Sequence, residues 1–275
     1  MTDKYAVIGN PIGHTKSPYI HGSFAASTGQ DIDYSAIEGS LDHFADDLHA
    51  FRNAGGRGMN VTAPFKLQAF ALATERLERA QLAGATNALK FEGDRIVADN
   101  FDGLGLTNDI QRNLGFALKG ARMLVLGAGG AVRGALLPFL EQQPAVLVLA
   151  NRTQGKADDL ARQFAAHGKI EGCAYGDLSG EKFDIVINGT SASLRGELPP
   201  LPVEALQGAR LAYELAYGKG LTPFLRLAQN AGVPRLADGV GMLVEQAAEA
   251  FFIWRGVRPD TGPVLSALRA RLSEK

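Results

Sequence analysis

The sequence predicts an α/β protein of two domains, and three observations carry that reading. Short apolar runs suited to buried strands alternate with stretches of helical periodicity along most of the chain. One of those runs, at residues 124–126, ends in the glycine cluster Gly127-Ala128-Gly129-Gly130 and is followed by a helical stretch. The length of 275 residues suits one large domain or two ordinary ones, and 46% hydrophobic content supplies their cores. Alternation of this kind argues for parallel sheets sandwiched by helices.

The elements follow in order. Residues 5–9 read as a buried strand that closes into the turn-rich Asn10-Pro11-Ile12-Gly13. After the loop His14-Thr15-Lys16-Ser17, Pro18 suits a first helical turn, so a helix over about 18–28 is expected with Ser17 as its simplest cap. Residues 34–38 form a second strand. Leu41, Phe44, Leu48 and Phe51 recur at helical spacing and predict an amphipathic helix over 41–53, ended by Gly55-Gly56. Residues 58–62 make a short strand, stopped by Ala63-Pro64 before a helix over about 65–73. A turn from 83 leads into a strand near 88–91, and 95–98 supplies another. Asp99-Asn100-Phe101-Asp102-Gly103 is a polar turn before a helix reaching about 114. Strands at 145–150, 183–188 and 211–215 continue the alternation, and Pro199-Pro200-Leu201-Pro202 reads as a rigid surface connection. A last helix over about 242–254 is apolar enough to be buried on several sides. One domain is placed at roughly 1–103 and a nucleotide-binding one at roughly 104–238, with a ligand site expected in the cleft between them.

Composition excludes several classes. With 28 Lys and Arg against 29 Asp and Glu, the formal net charge is −1, which argues against nucleic acid or a polybasic membrane surface as partner. No apolar stretch is long enough to span a bilayer, and the N-terminus runs into a strand without a signal-peptide core. A single cysteine, Cys173, has no internal disulfide partner and fits a reducing compartment, so a soluble cytoplasmic protein is expected. The five histidines show no metal-ligand spacing, and no metal is expected.

Two stretches carry chemistry. The glycine corner allows tight backbone geometry and directs a helix N-terminus at an anion such as a pyrophosphate. Gly127 and Gly129 fit the first two positions of the dinucleotide fingerprint, while Val132 takes the third. About twenty residues on, where that fingerprint places an acid for the ribose hydroxyl, the chain has Asn151-Arg152-Thr153 and Lys156. These donors suit a ribose 2′-phosphate and point to NADP rather than NAD; a helix start capped by Asn151 or Thr153 is the simpler alternative. A nicotinamide enzyme acting on a ketone also needs a proton donor. A tyrosine is one option and Lys66 another, with Asp102 as its partner. Spacing alone does not show that they meet, and read alone they are a solvated helix lysine and a helix cap.

Taken together, the ordered motifs closely resemble the shikimate dehydrogenase family over nearly the whole chain. They are Gly9-Asn10-Pro11-Ile12, Lys16-Ser17-Pro18, Asn60-Val61-Thr62 with Pro64-Phe65-Lys66, Asp99-Asn100 with Asp102-Gly103, Gly127-Ala128-Gly129-Gly130-Ala131 with Arg133, Asn151-Arg152-Thr153, and Gly241-Met242-Leu243 with Gln246. The resemblance implies an N-terminal substrate domain over 1–103 plus 239–275 and a Rossmann-like NADP-binding domain over 104–238. It implies reversible NADP-dependent reduction of 3-dehydroshikimate to shikimate, a step of aromatic amino acid biosynthesis, by a monomer or homodimer. Lys66 is then the proton donor paired with Asp102. Thr15 and Ser17 lie at the carboxylate, Asn60, Thr62, Asn87 and Gln246 hold ring hydroxyls, and Tyr217 lies at the cleft edge. Gly127, Ala128, Gly129, Gly130 and Ala131 hold pyrophosphate, Asn151, Arg152, Thr153 and Lys156 the 2′-phosphate end, and Gly239 and Met242 also border the cofactor.

The chain departs from the family pattern mainly on the substrate side. Thr15 stands where serine is usual, Phe101 where threonine is usual, and Glu214 where aspartate follows Tyr213. Thr15, and Phe101 beside the proposed pair, suggest altered substrate affinity or turnover, with Phe101 merely pointing into packing as the simpler alternative. That keeps open a relative preferring quinate or another cyclic polyhydroxy acid. A catalytically silent NADP-binding sensor is the reading from another class; it would keep the glycine loop but not need both Lys66 and Asp102, and their joint presence counts against it.

Overall fold

The computed structural model describes residues 2–218 and 220–273. The chain divides into two compact units, Met1–Gly105 with Leu243–Ala267, and Leu106–Met242 with Leu268–Lys275.

The first unit is built on a six-stranded sheet of β1 (Asp3–Gly9), β2 (Ile32–Glu38), β3 (Gly56–Val61), β4 (Glu75–Arg76), β5 (Ala88–Glu92) and β6 (Arg95–Asp99), in the order β2-β1-β3-β5-β6-β4. β1 pairs in parallel with β2 and β3, but β5 runs antiparallel to both β3 and β6. The expectation of parallel sheets therefore fails here. Gly93 (φ 55°) and Asp94 make a two-residue turn that folds β6 back along β5, a hairpin signal the alternation reading passed over. The hairpin matters for the site. Antiparallel pairing sets Asn60 of β3 opposite Ala88 and Ala88 opposite Asp99, so residues 87 and 99–102 arrive at the carboxyl end of β3.

Helices α1 (Ser17–Thr28), α2 (Phe44–Asn53), α3 (Lys66–Leu72) and α4 (Glu78–Ala83) belong to this unit, and α5 (Asp102–Asn108) begins in it. Strand β4 and helix α4 are short and had no sequence signal. Ile8, Phe44, Leu48, Met59, Phe65 and Leu89 are among the fully buried side chains of its core.

The second unit carries β7 (Arg122–Leu126), β8 (Val146–Ala150), β9 (Ile170–Cys173), β10 (Ile185–Asn188), β11 (Leu211–Glu214) and β12 (Arg235–Asp238). They form one six-stranded sheet in the order β12-β11-β10-β7-β8-β9, with every pair parallel. Counted from β7, this is the doubly wound 3-2-1-4-5-6 order, whose direction of winding reverses between β7 and β10. Its near-continuous apolar strands, such as Val146–Ala150 buried throughout, are what a sheet covered on both faces requires. Helices α6 (Gly130–Glu141), α7 (Gln154–Phe164) and α8 (Pro223–Asn230) follow β7, β8 and β11.

Three elements here were not expected: β9, α8 and β12. The start of α8 had a legible signal, because Thr222 caps it by accepting from the Leu225 N–H (3.2 Å) with Pro223 at the first helical position. The proline-rich connection is not all surface, since Pro199 and Leu201 are buried.

The chain ends with α9 (Val240–Arg255) and α10 (Gly262–Ser273), the second also unforeseen. Trp254 of α9, the one tryptophan of the sequence, donates its indole N–H to the Leu89 carbonyl (3.0 Å) and stacks on Tyr5 at 4.8 Å. Ala88, Phe101 and Ala250 complete this buried group within the first unit. Among the described residues no helix is long and apolar enough to cross a membrane, and no His, Cys, Asp or Glu group could hold a metal ion.

Candidate functional site

In the first unit the loops at the carboxyl ends of β1, β3 and β6 bring most of the sequence-predicted substrate residues together. Lys66, first residue of α3, makes an ion pair with the Oδ2 of Asp102, first residue of α5. A lysine ammonium is unfavourable at a helix N-terminus, and the carboxylate offsets that. Just before α5, Asn100 Oδ1 accepts the Asp102 backbone N–H (3.1 Å), which leaves the Asp102 carboxylate for Lys66. The other oxygen of Asp102 accepts from Asn87 Nδ2 (2.7 Å).

Asn87 is the hub of the network. Its two amide hydrogens go to Asp102 and to Gln246 Oε1 (3.1 Å), and its Oδ1 accepts the Phe101 N–H (2.9 Å). Its backbone carbonyl accepts from the Val61 N–H (2.8 Å) and from Asn60 Nδ2 (3.2 Å). Thr62 lies just beyond β3 and is half-buried. On the loop after β1, Thr15 donates its hydroxyl to Ser17 Oγ (3.2 Å). Ser17 does not cap α1; it is the first helical residue, buried, and no side chain caps that helix.

Sequence reasoning missed three members of this region. Tyr34 on β2 donates its phenol to Asn60 Oδ1 (2.7 Å). Burial holds that phenol well above its ordinary range, so it stays protonated. His21 stacks on the Tyr34 ring at 4.1 Å and 7°, and burial pushes its pKa down to about 3, leaving it neutral. Arg79 clamps Asp99, with Nε donating to Oδ1 (3.1 Å) and Nη2 to Oδ2, and so anchors the end of β6 from which Asn100 and Asp102 project. None had a local motif, since a tyrosine in a strand or an arginine in a helix is ordinary.

Phe101 requires a correction. Its side chain is 1% exposed and packs among Tyr5, Ala88, Ala250 and Trp254, with the Arg79 guanidinium 5.3 Å from its ring centre. Only its backbone N–H serves the network. The ring is core, and the argument for altered substrate preference built on it falls away.

In the second unit the loops after β7, β8 and β10 enclose a cavity of about 410 Å³ at the point where the winding reverses. Gly127, Ala128, Gly129, Gly130, Ala131, Asn151 and Arg152 line one side, and Thr190, Ser191, Arg195 and Glu197 another. Gly127 holds φ 103°, a left-handed conformation that other residues rarely adopt. Gly129 stands at the N-cap of α6 with no side chain bonded to the first turn, so backbone N–H groups there remain for an anion. Side chains at Gly129 or Gly130 would project into open space.

Val132 occupies the third fingerprint position because the missing glycine stands elsewhere. A Cβ on Gly189, just after β10, would lie 2.2 Å from Val132 Cγ2. Bare backbone at Gly189 gives the valine its room.

Asn151 turns its Nδ2 to the Thr153 carbonyl (2.9 Å), and Thr153 precedes α7 without a side-chain cap bond. Thr153, at the N-cap of α7, and Lys156, on its first turn, are exposed and do not line the cavity. Tyr217, Gly239 and Met242 also lie in this unit and do not line that cavity. Tyr217 is 41% exposed. Met242 donates its backbone N–H to the Tyr213 hydroxyl (3.3 Å), which donates to the buried Asp109 (2.7 Å). Glu214 is buried and its carboxyl is pushed up by that burial; it accepts from Asn188 (3.0 Å), Ser193 (2.5 Å) and Thr222 (3.1 Å). It thereby ties the loop after β10 to the one after β11.

Three family models match the chain. They are the shikimate dehydrogenase substrate binding domain over residues 7–89, shikimate/quinate 5-dehydrogenase over 109–195, and the shikimate 5′-dehydrogenase C-terminal domain over 239–269. The shikimate dehydrogenase (NADP(+)) of Nitrosospira multiformis is 58% identical over 272 residues, covering 99% of each chain. The crystal structure of an Ael1 enzyme from Pseudomonas putida is 62% identical with a TM-score of 0.94, over 99% of this chain and 98% of that one. The shikimate 5-dehydrogenase of Thermus thermophilus, solved with NADP(H) and shikimate, is 30% identical with a TM-score of 0.84, over 98% and 99%.

Proposed function

The chain belongs to the shikimate dehydrogenase family, and from that premise we propose that it interconverts 3-dehydroshikimate and shikimate using NADP(H). The observation that carries the chemistry is the Lys66–Asp102 pair, with Asn87 on the second carboxylate oxygen. NADPH, held by the second unit, would supply the hydride for the ketone carbon. The chain must then deliver one proton to the carbonyl oxygen, and Lys66 Nζ is the group that does so. Asp102 directs the ammonium and stabilises it when charged; in the reverse direction Lys66 takes the hydroxyl proton back. Assistance of this kind typically supplies roughly 10²–10⁴ in rate.

Thr15 and Ser17 are assigned to the substrate carboxylate, and Asn60, Thr62 and Gln246 to ring hydroxyls, with Tyr217 as a further contact. Asn87 is better read as the residue that orients Asp102 and Gln246, since its amide hydrogens are spent on them. A site that pairs a substrate hydroxyl rejects an analogue lacking it by ~10⁴–10⁵.

The second unit fits the cofactor. Its glycine loop leaves N–H groups and open space where a pyrophosphate would lie. The end of β8 carries Asn151 and Arg152 in place of the acid that would read a free ribose hydroxyl. Arg152, Thr153 and Lys156 are assigned to the 2′-phosphate, and Gly239 and Met242 to the border of the bound cofactor. The first unit is the substrate domain and the second the NADP domain. Cys173 is a free cysteine, in keeping with the reducing cytoplasm in which we place the protein.

Initial rates of NADPH formation with shikimate and with quinate, each repeated with NAD⁺, test the reading. Rapid turnover of shikimate with NADP⁺ is expected. Strong quinate turnover beside weak shikimate turnover would reassign the substrate, and no turnover of either would overturn the reading.

A further inference from the structure

Tyr34 is half-buried on β2 and lies outside every motif by which the site was found. Its phenol has one hydrogen to give, and gives it to Asn60 Oδ1 at 2.7 Å. An amide side chain can face either way, and a fixed donor at one end decides which. With Oδ1 turned to Tyr34, Asn60 Nδ2 faces the Asn87 carbonyl at 3.2 Å. The Asn87 amide then holds Asp102 and Gln246. One phenolic hydrogen therefore sets the amide that leads, through Asn87 and Asp102, to Lys66.

The ring itself is held independently of the hydroxyl. It lies flat on His21 at 4.1 Å and 7°, with Trp254 6.4 Å away, so removing only the oxygen leaves the packing in place.

We propose that Tyr34 is a positioning residue of the substrate site, presetting the Asn60 amide for a polyhydroxylated carboxylate. The inference rests on the function proposed above and deepens it. Shikimate gains its contacts from side chains already oriented, so the ordering cost falls on folding rather than on binding.

The test is Tyr34→Phe, alone and combined with Asn60→Ala, assayed with shikimate at saturating NADP⁺ and with NADP⁺ at saturating shikimate. Loss of one hydrogen bond that orients a ligand group is expected to raise the shikimate KM about 3–10-fold. The kcat should stay within about threefold, since Asp102 keeps Lys66 and Asn87, and the NADP⁺ KM should not change. In the Asn60→Ala background the phenylalanine should add less than about a twofold further change, because the amide it orients is gone. An unchanged shikimate KM in Tyr34→Phe overturns the proposal, and so does an equal factor in both backgrounds. A lower melting temperature with an unchanged KM gives Tyr34 a structural role only and likewise overturns it. Failure of the parent enzyme to turn over shikimate is a different result, and counts against the reading of function.

Discussion

Replacing Gly189 with alanine tests the claim that the third fingerprint glycine of α6 has been exchanged for one in the loop after β10. The new methyl carbon would stand 2.2 Å from Val132 Cγ2 and 3.4 Å from the Leu126 carbonyl oxygen. Val132 is fully buried near the start of α6, so it cannot swing outward without moving the glycine loop. Overpacking of this kind costs about 1–3 kcal/mol, which lowers the melting temperature of a domain this size by about 2–12 °C. Val132→Ala alone removes two buried methyl groups and costs about 2–3 kcal/mol. The double variant is the informative one. The methyl added at position 189 enters the space vacated by Val132, so the two losses should fall short of additive by about 1–3 kcal/mol. The NADP⁺ KM should rise in Gly189→Ala and recover in the double variant, since the displaced loop is the one lining the cavity. Melting curves and cofactor kinetics on the four proteins are the assay. Additivity within about 0.5 kcal/mol would refute the exchange.

Other outcomes follow from the same geometry. Lys66→Ala should lower kcat by about 10²–10⁴ with little change in cofactor affinity; near-parental turnover would remove Lys66 from the proton transfer. Phe101→Thr empties a buried site and leaves a hydroxyl in it, so a loss of about 3–5 kcal/mol is expected in thermal or urea denaturation, with no improvement in shikimate kinetics. His21 binds a proton near pH 6.5 when unfolded but only near pH 3 when folded. Between those values the unfolded chain holds the extra proton, so stability falls as pH is lowered. The loss from about pH 7 to about pH 5 is on the order of 2 kcal/mol. His21→Phe keeps a ring on Tyr34 and should flatten that acid limb in urea denaturation.

The sequence was most legible where chemistry and local geometry coincide. Gly127 to Ala131, and the basic run from Arg152, could be read because a strand end, a helix start and a phosphate impose their needs within a few residues. Lys66 and Asp102, 36 residues apart, could not be shown to meet from spacing; only the hairpin of β5 and β6 brings them together. Its Gly93-Asp94 turn was visible and went unread, which is why a parallel sheet was expected. Phe101 was misjudged because a substitution beside a catalytic residue says nothing about which side of the backbone its ring takes. Tyr34 and Gly189 had no local signal, since their importance lies in residues distant along the chain.

Trp254 gives the protein a built-in spectroscopic reporter. It is the sole indole of the sequence, and it is buried against Tyr5 and bonded to Leu89 within the first unit. Tryptophan emission therefore follows the melting of that unit alone, while far-ultraviolet circular dichroism sums the helices and strands of both. If the two units unfold at different denaturant concentrations, the fluorescence transition will be a single step set against a two-step dichroism curve.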